Sequence, residues 1–312
     1  MSTRAARPVE LSICMVSLNC RQVITDCLQS IHETAAGIDH EVLIVDNAST
    51  DDTLERATAV WPDARILRNS RNFGFSRATN QAIQASRGRY LLWLNTDTVL
   101  HAGALQTLIS FLAAHPRAGI VGPKVLNADG TFQPQCRRGM PTPGASLCYM
   151  MGLHRVWPRH PLAGQYLLSY LPVDERSRVA SVSGCCLLAR REVWASIGPI
   201  DEAIFGFGED IDWCVRAEQA GWEVWYEPAA AITHLKGQGG AHVKPYHKIR
   251  GIHQAMWVFY RKHLRAAYPA FVTLLVGTGV LASFAASMAG TWLRRRTSAL
   301  ARSVRGLIAL AR

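Results

Sequence analysis

The stretch Tyr90-Leu91-Leu92-Trp93-Leu94-Asn95-Thr96-Asp97-Thr98 decides how the chain folds. Its apolar residues run on without alternating, so it reads as a strand buried on both faces. The run then stops at a polar loop that carries an acid, Asp97. A strand covered on both sides needs helices around it, and the flanking sequence supplies them. Upstream, apolar runs at Val9–Leu18, Glu41–Val45 and Ala64–Leu67 alternate with helical patterns at Val23–Ala35, Thr53–Val60 and Phe75–Ser86. Downstream, Gly103–Ala114 reads as a helix and Gly119–Val121 as a shorter strand. Alternation with links of this length predicts an α/β fold with a mostly parallel central sheet flanked by helices. Ligands of such sheets sit beyond the carboxyl ends of the strands.

Residues 127–178 break the rhythm. They hold six of the 14 prolines and little periodicity, and they read as loops over the site. Order returns with an apolar segment at Val179–Ala189, a short helix at Arg191–Ile197 and a helix from about Glu209 to Ala220, which Gly221 stops. Glu223–Tyr226 and Ala230–Thr233 read as two short strands. The sequence contains no internal repeat.

The 312 residues are 49% hydrophobic and 18% charged, which excludes a disordered or fibrous chain. The net charge of +11 points first to a nucleic-acid binder. Its distribution removes that reading. Residues 1–227 carry 21 Lys and Arg against all 23 acids, a net of −2, whereas residues 228–312 carry 13 and no acid. The basic residues are not interleaved with aromatics on the body, so no nucleic-acid partner is expected. The eight cysteines form neither C-x-x-C nor a zinc spacing and read as reduced thiols of a cytoplasmic protein. Met1–Glu10 has no apolar stretch of the signal-peptide kind.

The end of the chain is a different object. Phe271–Leu293 is 23 residues without a charge, roughly 34 Å as a helix and enough to cross a bilayer. Arginines and a lysine flank it on both sides. In Thr297–Arg312, Leu300, Val304, Leu307, Ile308 and Ala311 fall at helical spacing, with Arg302, Arg305 and Arg312 off that stripe. This reads as a basic amphipathic helix for an anionic membrane surface. A single span, an in-plane or hairpin association, and a buried helix of an oligomer all remain open. The expected division is a catalytic domain over residues 1–240 and a helical, membrane-associating extension over 241–312.

Four motifs carry chemistry. In Val45–Thr53, Ser49 and Asp52 are explained by helix capping, but Asp46 at the strand's end is not, and it can accept hydrogen bonds from a base or ribose. In Asn72–Asn80, Gly74 permits close backbone approach and the following helix aims N–H groups at the loop. Asp97 is placed as a hard-cation ligand. In Phe205–Cys214 acids crowd a helix start, as the dipole favours, yet Asp210 can face a cleft and take a proton from an alcohol. His234, after the last strand, reads either as a structural residue or as a metal or phosphate ligand. Gly277-Thr278-Gly279-Val280-Leu281-Ala282 matches a dinucleotide pattern, but no acid follows it and it lies inside the apolar run, so it is rejected.

Together and in this order, these motifs resemble the family-2 glycosyltransferases of GT-A (Rossmann-like) fold, closest to a bacterial rhamnosyltransferase-like branch. Asp129-Gly130-Thr131, Arg137-Arg138 and Gly184–Arg191 add to the likeness, which covers about residues 9–240. The resemblance implies an inverting transfer of sugar from a nucleotide-sugar donor to a hydroxyl of a saccharide acceptor. Ser17, Asn19 and Asp46 would hold the nucleotide, and Asn72, Gly74 and Asn80 would help to seat the nucleotide-sugar. Asp97 matches the last acid of the D-x-D motif, here Asn95-Thr96-Asp97, and would hold Mg²⁺ or Mn²⁺ with His234. Asp210 would be the catalytic base, with Gly184 and Glu209 on the acceptor side. The branch implies dTDP-L-rhamnose as donor, with a UDP-sugar second. The basic tail suits a polyprenyl-diphosphate-linked acceptor in cell-envelope polysaccharide synthesis, at the cytoplasmic face of the inner membrane. Two other classes were weighed. A nucleotidyltransferase would want a Gly-rich basic loop where the chain has Ser17-Leu18-Asn19-Cys20-Arg21. A non-catalytic membrane-surface adaptor would not need Asp46, Asp97 and Asp210 intact.

Overall fold

The computed structural model describes residues 9–204, 207–238 and 245–310, with side chains for all of these except 245 and 297–310. The chain divides into two compact units, Met1–Ala241 and His242–Arg312.

The first unit is built on one sheet. Leu11–Ser17 (β1) is buried at every residue and lies parallel to His40–Asp46 (β2), which lies parallel to Arg65–Arg68 (β3). Ile24–Thr34 (α1), Thr53–Val60 (α2) and Phe75–Ala85 (α3) connect these strands. Tyr90–Asn95 (β4) pairs with the other side of β1, again parallel. The deciding stretch is thus a central strand, buried from Tyr90 to Leu94. Thr98–Leu100 (β5), Ala104–Ala114 (α4) and Ala118–Leu126 (β6) follow. Up to this point the expected elements are observed to within a few residues, except that β5 was not expected and β6 runs on to Leu126, five residues beyond the strand read at Gly119–Val121.

The sheet then departs from a parallel order. Cys186–Arg190 (β10) enters between β4 and β6 and runs antiparallel to both. The order is β3-β2-β1-β4-β10-β6-β11-β5, so the sheet is mixed. The returning segment 127–178 makes this possible, because it carries the chain back to the opposite end before β10 starts. Along it lie Arg137–Arg138 (β7), Pro143–Met150 (α5), Leu153–Val156 (α6) and Ser177–Arg178 (β8), and then Ser181–Val182 (β9). β7 pairs with β9 in a small second sheet. At the end of β10, the buried Arg190 donates to the carbonyls of Leu112, His115 and Ala118. A cation there satisfies the open C-terminus of α4.

Arg191–Ile197 (α7) and Glu209–Gln219 (α8) precede the last strand. The two short strands expected there are one, Glu223–His234 (β11), parallel to β6 with a register shift between Glu227 and Ala231. Pro228 lies in that irregular stretch, where its missing N–H breaks no ladder bond.

The second unit is a pair of helices. Pro245–Phe259 (α9) is followed by a π-helical turn at Tyr260–Leu264 and a 3₁₀ turn at Arg265–Ala267. Ala270–Leu310 (α10) then runs unbroken for 41 residues. The apolar run and the basic segment after it are therefore one helix, because Arg294–Arg296 are good helix formers and nothing between them stops it. The two helices run antiparallel. Tyr260 meets Thr273 at 3.0 Å, His253 meets Ser283 at 3.1 Å, and the Arg295 guanidinium lies over the Tyr246 ring. Ala270–Arg296 is long and apolar enough to cross a membrane. The side chains of the stripe from Leu300 to Ala311 lie outside the described residues.

Candidate active site

The carboxyl ends of β1, β2 and β4 lie side by side, with Ser17 opposite Asp46 and Val16 opposite Asn95. Asp46 is buried there and organises the two loops. Its carboxylate accepts from the hydroxyls of Ser17 at 2.9 Å and Ser49 at 2.5 Å, and from the Ser49 N–H at 3.1 Å. Ser49 Oγ in turn accepts from the Asn19 N–H at 2.9 Å, and Asn19 Oδ1 accepts from the Thr50 N–H at 2.8 Å. Asn19 and Ala48 have φ of 50° and 71°. Such left-handed residues persist only where surroundings over-determine them, and here the Asp46 cluster does so. The structure therefore brings Ser17, Asn19 and Asp46 together.

The second donor loop hangs on Asn47. Its Nδ2 donates to Asn72 Oδ1 and to the Gly74 carbonyl, and its Oδ1 accepts from the Phe73 N–H and from Asn69. Gly74 has φ of 89°, open only to glycine, and is the residue from which α3 starts. Asn80 is placed differently from Asn72 and Gly74. Its amide exchanges hydrogen bonds with both backbone groups of Ile200 and donates to Glu202. With its amide so engaged, it ties α3 to the segment leading into Phe205–Gly208, of which Phe205 and Gly206 lie outside the described residues.

Asp97 and His234 meet at the other side of β4. His234 Nε2 is 3.2 Å from Asp97 Oδ1, and β5 pairs Thr98 with His234. The other imidazole nitrogen, Nδ1, meets Gln133 Oε1 at 3.0 Å and so has its orientation fixed. Burial pulls the His234 pKa down, but the Asp97 carboxylate and the Cys185 sulfur more than offset this and raise it to about 10. The pair as it stands is a carboxylate against an imidazolium, so the hard-oxygen donor that suits Mg²⁺ or Mn²⁺ is the Asp97 carboxylate, and His234 would join it only on losing its proton. Among the described residues no third His, Cys, Asp or Glu completes a cluster. The remaining positions would fall to phosphate oxygens and water, as is usual for Mg²⁺.

The cluster around Asp210 is charged and largely buried. Asp210 stands in the first turn of α8 and is buried. Its Oδ2 accepts from Arg138 Nη2 at 2.5 Å and from the Gly184 N–H at 2.9 Å. A Cβ at Gly184 would meet the Trp93 ring at 2.9 Å, so glycine is what lets this backbone approach the carboxylate. Beside them Glu209 is buried, and its Oε2 has no hydrogen-bond partner among the described residues. Burial, and then the Asp210 charge, push its pKa up to about 8. Residue 185 joins the two centres. The Cys185 carbonyl accepts from the Asn95 N–H at 2.9 Å, its sulfur contacts His234, and its neighbour Gly184 holds Asp210.

Reading the sequence left three of these residues without a role. Arg138 was visible only as part of a basic pair, yet β7 delivers it to Asp210. Asn47 sits inside a quoted motif, and its bracing of Asn69, Asn72, Phe73 and Gly74 has no sequence signature. Gln133 carries no signal at all. Apart from the Cys185 contact with His234, the cysteines lie outside these clusters. All eight are free, and burial pushes Cys14, Cys27, Cys136 and Cys214 up to about 12.

Comparison with known proteins bears on the family and the fold. Residues 12–167 match the model of glycosyl transferase family 2. An N-acetylglucosaminyl-diphospho-decaprenol L-rhamnosyltransferase of Mycobacterium tuberculosis is 32% identical over 228 residues, covering 66% of this chain and 72% of the relative. The O-antigen biosynthesis protein RfbC of Myxococcus xanthus is 29% identical over 201 residues, 62% of this chain and 15% of that protein. Among solved structures, S. aureus TarS 1–349 in complex with UDP superposes with a TM-score of 0.52 at 15% identity, over 83% of this chain and 68% of that one. GalNAc-T7 with UDP, GalNAc and Mn²⁺ gives 0.55 at 16% identity, over 86% and 54%. These two likenesses establish a shared GT-A fold.

Proposed function

The chain belongs to glycosyl transferase family 2 and is a glycosyltransferase, and on that premise we propose that it inverts the anomeric centre while moving a sugar from a nucleotide-sugar to a saccharide hydroxyl. The observation that carries this reading is the joint at Gly184–Cys185, which sets Asp210 on one side and the Asp97–His234 pair on the other. A base and a diphosphate site held by adjacent residues allow one in-line displacement. Asp210 removes the acceptor proton as the oxygen attacks, and Arg138 and the Gly184 N–H fix the carboxylate for that step. The Asp46 cluster holds the nucleotide's base or ribose, and Asn72–Gly74 lines the diphosphate at the start of α3. A divalent cation held by Asp97 and His234 would neutralise charge on the leaving diphosphate.

The mycobacterial relative is named for a rhamnosyl transfer to a decaprenol-diphosphate-linked sugar. That supports dTDP-L-rhamnose as donor here, with a UDP-sugar second, and a polyprenyl-diphosphate-linked saccharide as acceptor, in cell-envelope polysaccharide synthesis. Residues 1–240 would be the catalytic domain and 241–312 its anchor to the cytoplasmic face of the inner membrane. An in-plane anchor fits the helix pair better than a span. Phe271, Leu274, Leu275 and Leu281 are exposed on α10, while α9 alongside exposes His247, Lys248 and Arg250. A span of α10 with α9 alongside would set the His253–Ser283 pair and the exposed Gln254 near the middle of the bilayer, whereas an in-plane helix leaves the polar face of α9 toward water.

The test is thermal. A nucleoside diphosphate with Mg²⁺ or Mn²⁺ raises the Tm, and Asp97→Ala abolishes most of that rise. A screen of nucleotide-sugars by the same shift then identifies the donor. Absence of a shift with every nucleotide would sink the reading in favour of a non-catalytic adaptor.

A further inference from the structure

One surface of the catalytic unit exposes what soluble proteins hide. On and after α5 and α6, Leu147, Met151, Val156 and Trp157 are 57%, 64%, 67% and 61% exposed. Between α6 and Leu162 a groove of about 670 Å³, lined almost wholly by apolar atoms, opens beside them. A contiguous apolar patch of this kind marks an interaction surface. Its charge is as one-sided as its polarity. No acid occurs between Asp129 and Asp174, while Arg155, Arg159 and His160 stand exposed around the groove.

The patch also connects to the chemistry. Tyr149 of α5 stacks on His154 at 4.9 Å and packs on Tyr166 at 4.7 Å. The Tyr166 carbonyl accepts from the Gly139 N–H at 3.0 Å, next to the Arg138 that holds Asp210. Exposed aliphatic and indole side chains among arginines are the composition that settles at a bilayer interface. A second copy of the chain is a poorer occupant, because a twofold contact would set these arginines against themselves with no local acid to answer them.

We propose that this acid-free surface, centred on Leu147, Met151, Val156 and Trp157, is a lipid-docking face of the catalytic unit that seats in an anionic bilayer interface and so presents a lipid-linked acceptor to Asp210. The proposal rests on the acceptor class put forward above and assigns it an entry side on the catalytic unit itself.

Cys148 borders the groove and is the one cysteine of the eight that is not buried, so it accepts an environment-sensitive thiol dye in the full chain. With phosphatidylglycerol vesicles the dye emission shifts to the blue with a several-fold rise in intensity, and phosphatidylcholine vesicles give much less. The double substitution Val156→Glu and Trp157→Glu removes most of this response without changing the Tm, since both side chains are exposed. If the protein sediments with phosphatidylglycerol vesicles while the dye stays in water, the C-terminal helices alone bind and the proposal is overturned. A dye already shielded before vesicles are added also overturns it, because the chain itself or a second copy then covers the groove. The nucleotide-dependent Tm of the same sample tests the transferase reading separately, so failure of one is not mistaken for failure of the other.

Discussion

The two sides of the candidate site, proposed above to take donor and acceptor, are made of different material. The donor side is a mesh of neutral amides and hydroxyls, Ser17, Asn19, Asn47, Ser49 and Asn72, gathered around the single carboxylate of Asp46. The acceptor side is a knot of buried charge, with Arg138 on Asp210 and an unpartnered Glu209 oxygen beside them. Neutral hydrogen bonds fix a shape at modest energetic risk, because each lost bond costs on the order of 1 kcal/mol. Buried charges are high-stakes, since removing one partner strands the other in a low dielectric. On the proposed reading the difference matches two tasks, holding a ligand on the side of Asp46 and moving a proton on the side of Asp210.

Four measurements break or sharpen this division. The largest effect belongs to Asp210→Asn, which keeps the shape and removes the base. Turnover falls by roughly 10²–10⁴ while the nucleotide-dependent Tm shift survives. Retained turnover would show that the charged side does not carry the proton. Next, Arg138→Met leaves Asp210 buried and uncompensated and lowers unfolding free energy by about 3–5 kcal/mol in denaturant titration. A loss no larger than that of a surface residue would mean that the ion pair is solvated after all. Third, Glu209 has a folded pKa of about 8 against an ordinary 4.5. Below pH 4.5 both folded and unfolded forms are protonated and there is no penalty. As pH rises from 4.5 to 8 the unfolded carboxyl ionises freely and the folded one does not, so stability falls. Glu209→Gln flattens that part of the stability–pH curve, and an unchanged slope would refute the assignment. The smallest effect is on the neutral side. Asn47→Ala costs about 1–3 kcal/mol of stability and weakens nucleotide binding, with turnover at saturating donor little changed. Should it cost as much turnover as Asp210→Asn, the two sides would not differ in kind.

Much of the donor side was legible because it is local. Strand end, polar loop and helix start follow one another within a dozen residues at Asp46 and again at Asn72, and periodicity alone places them. Asp97 followed from the same rule. The acceptor side joins residues far apart in sequence, and no local pattern announces such a joint. Arg138 reaches Asp210 only because β7 pairs with β9, a contact of two residues on each strand. Asn80 shows the reverse difficulty. It stands two turns into α3 in a motif that implies ligand contact, yet Ile200 and Glu202 occupy its amide, and those partners lie about 120 residues on. The C-terminal helices were legible as helices. Their continuity was not, because a cluster of arginines reads as a boundary where hydropathy is the guide.

The late arrival of β10 has a consequence for how the protein is made. This strand fills the slot between β4 and β6, and its central position means that neither neighbour is closed on that edge until Arg190 has been synthesised. A nascent or truncated chain that ends earlier presents two long apolar strand edges to any other chain in the same state. The region matched by the family model, residues 12–167, is such a fragment. It carries the Asp46 and Asn72 motifs but leaves the inner edges of β4 and β6 unpaired. The arrival of β10, and then of β11, closes those edges and turns an aggregation-prone intermediate into a continuous sheet.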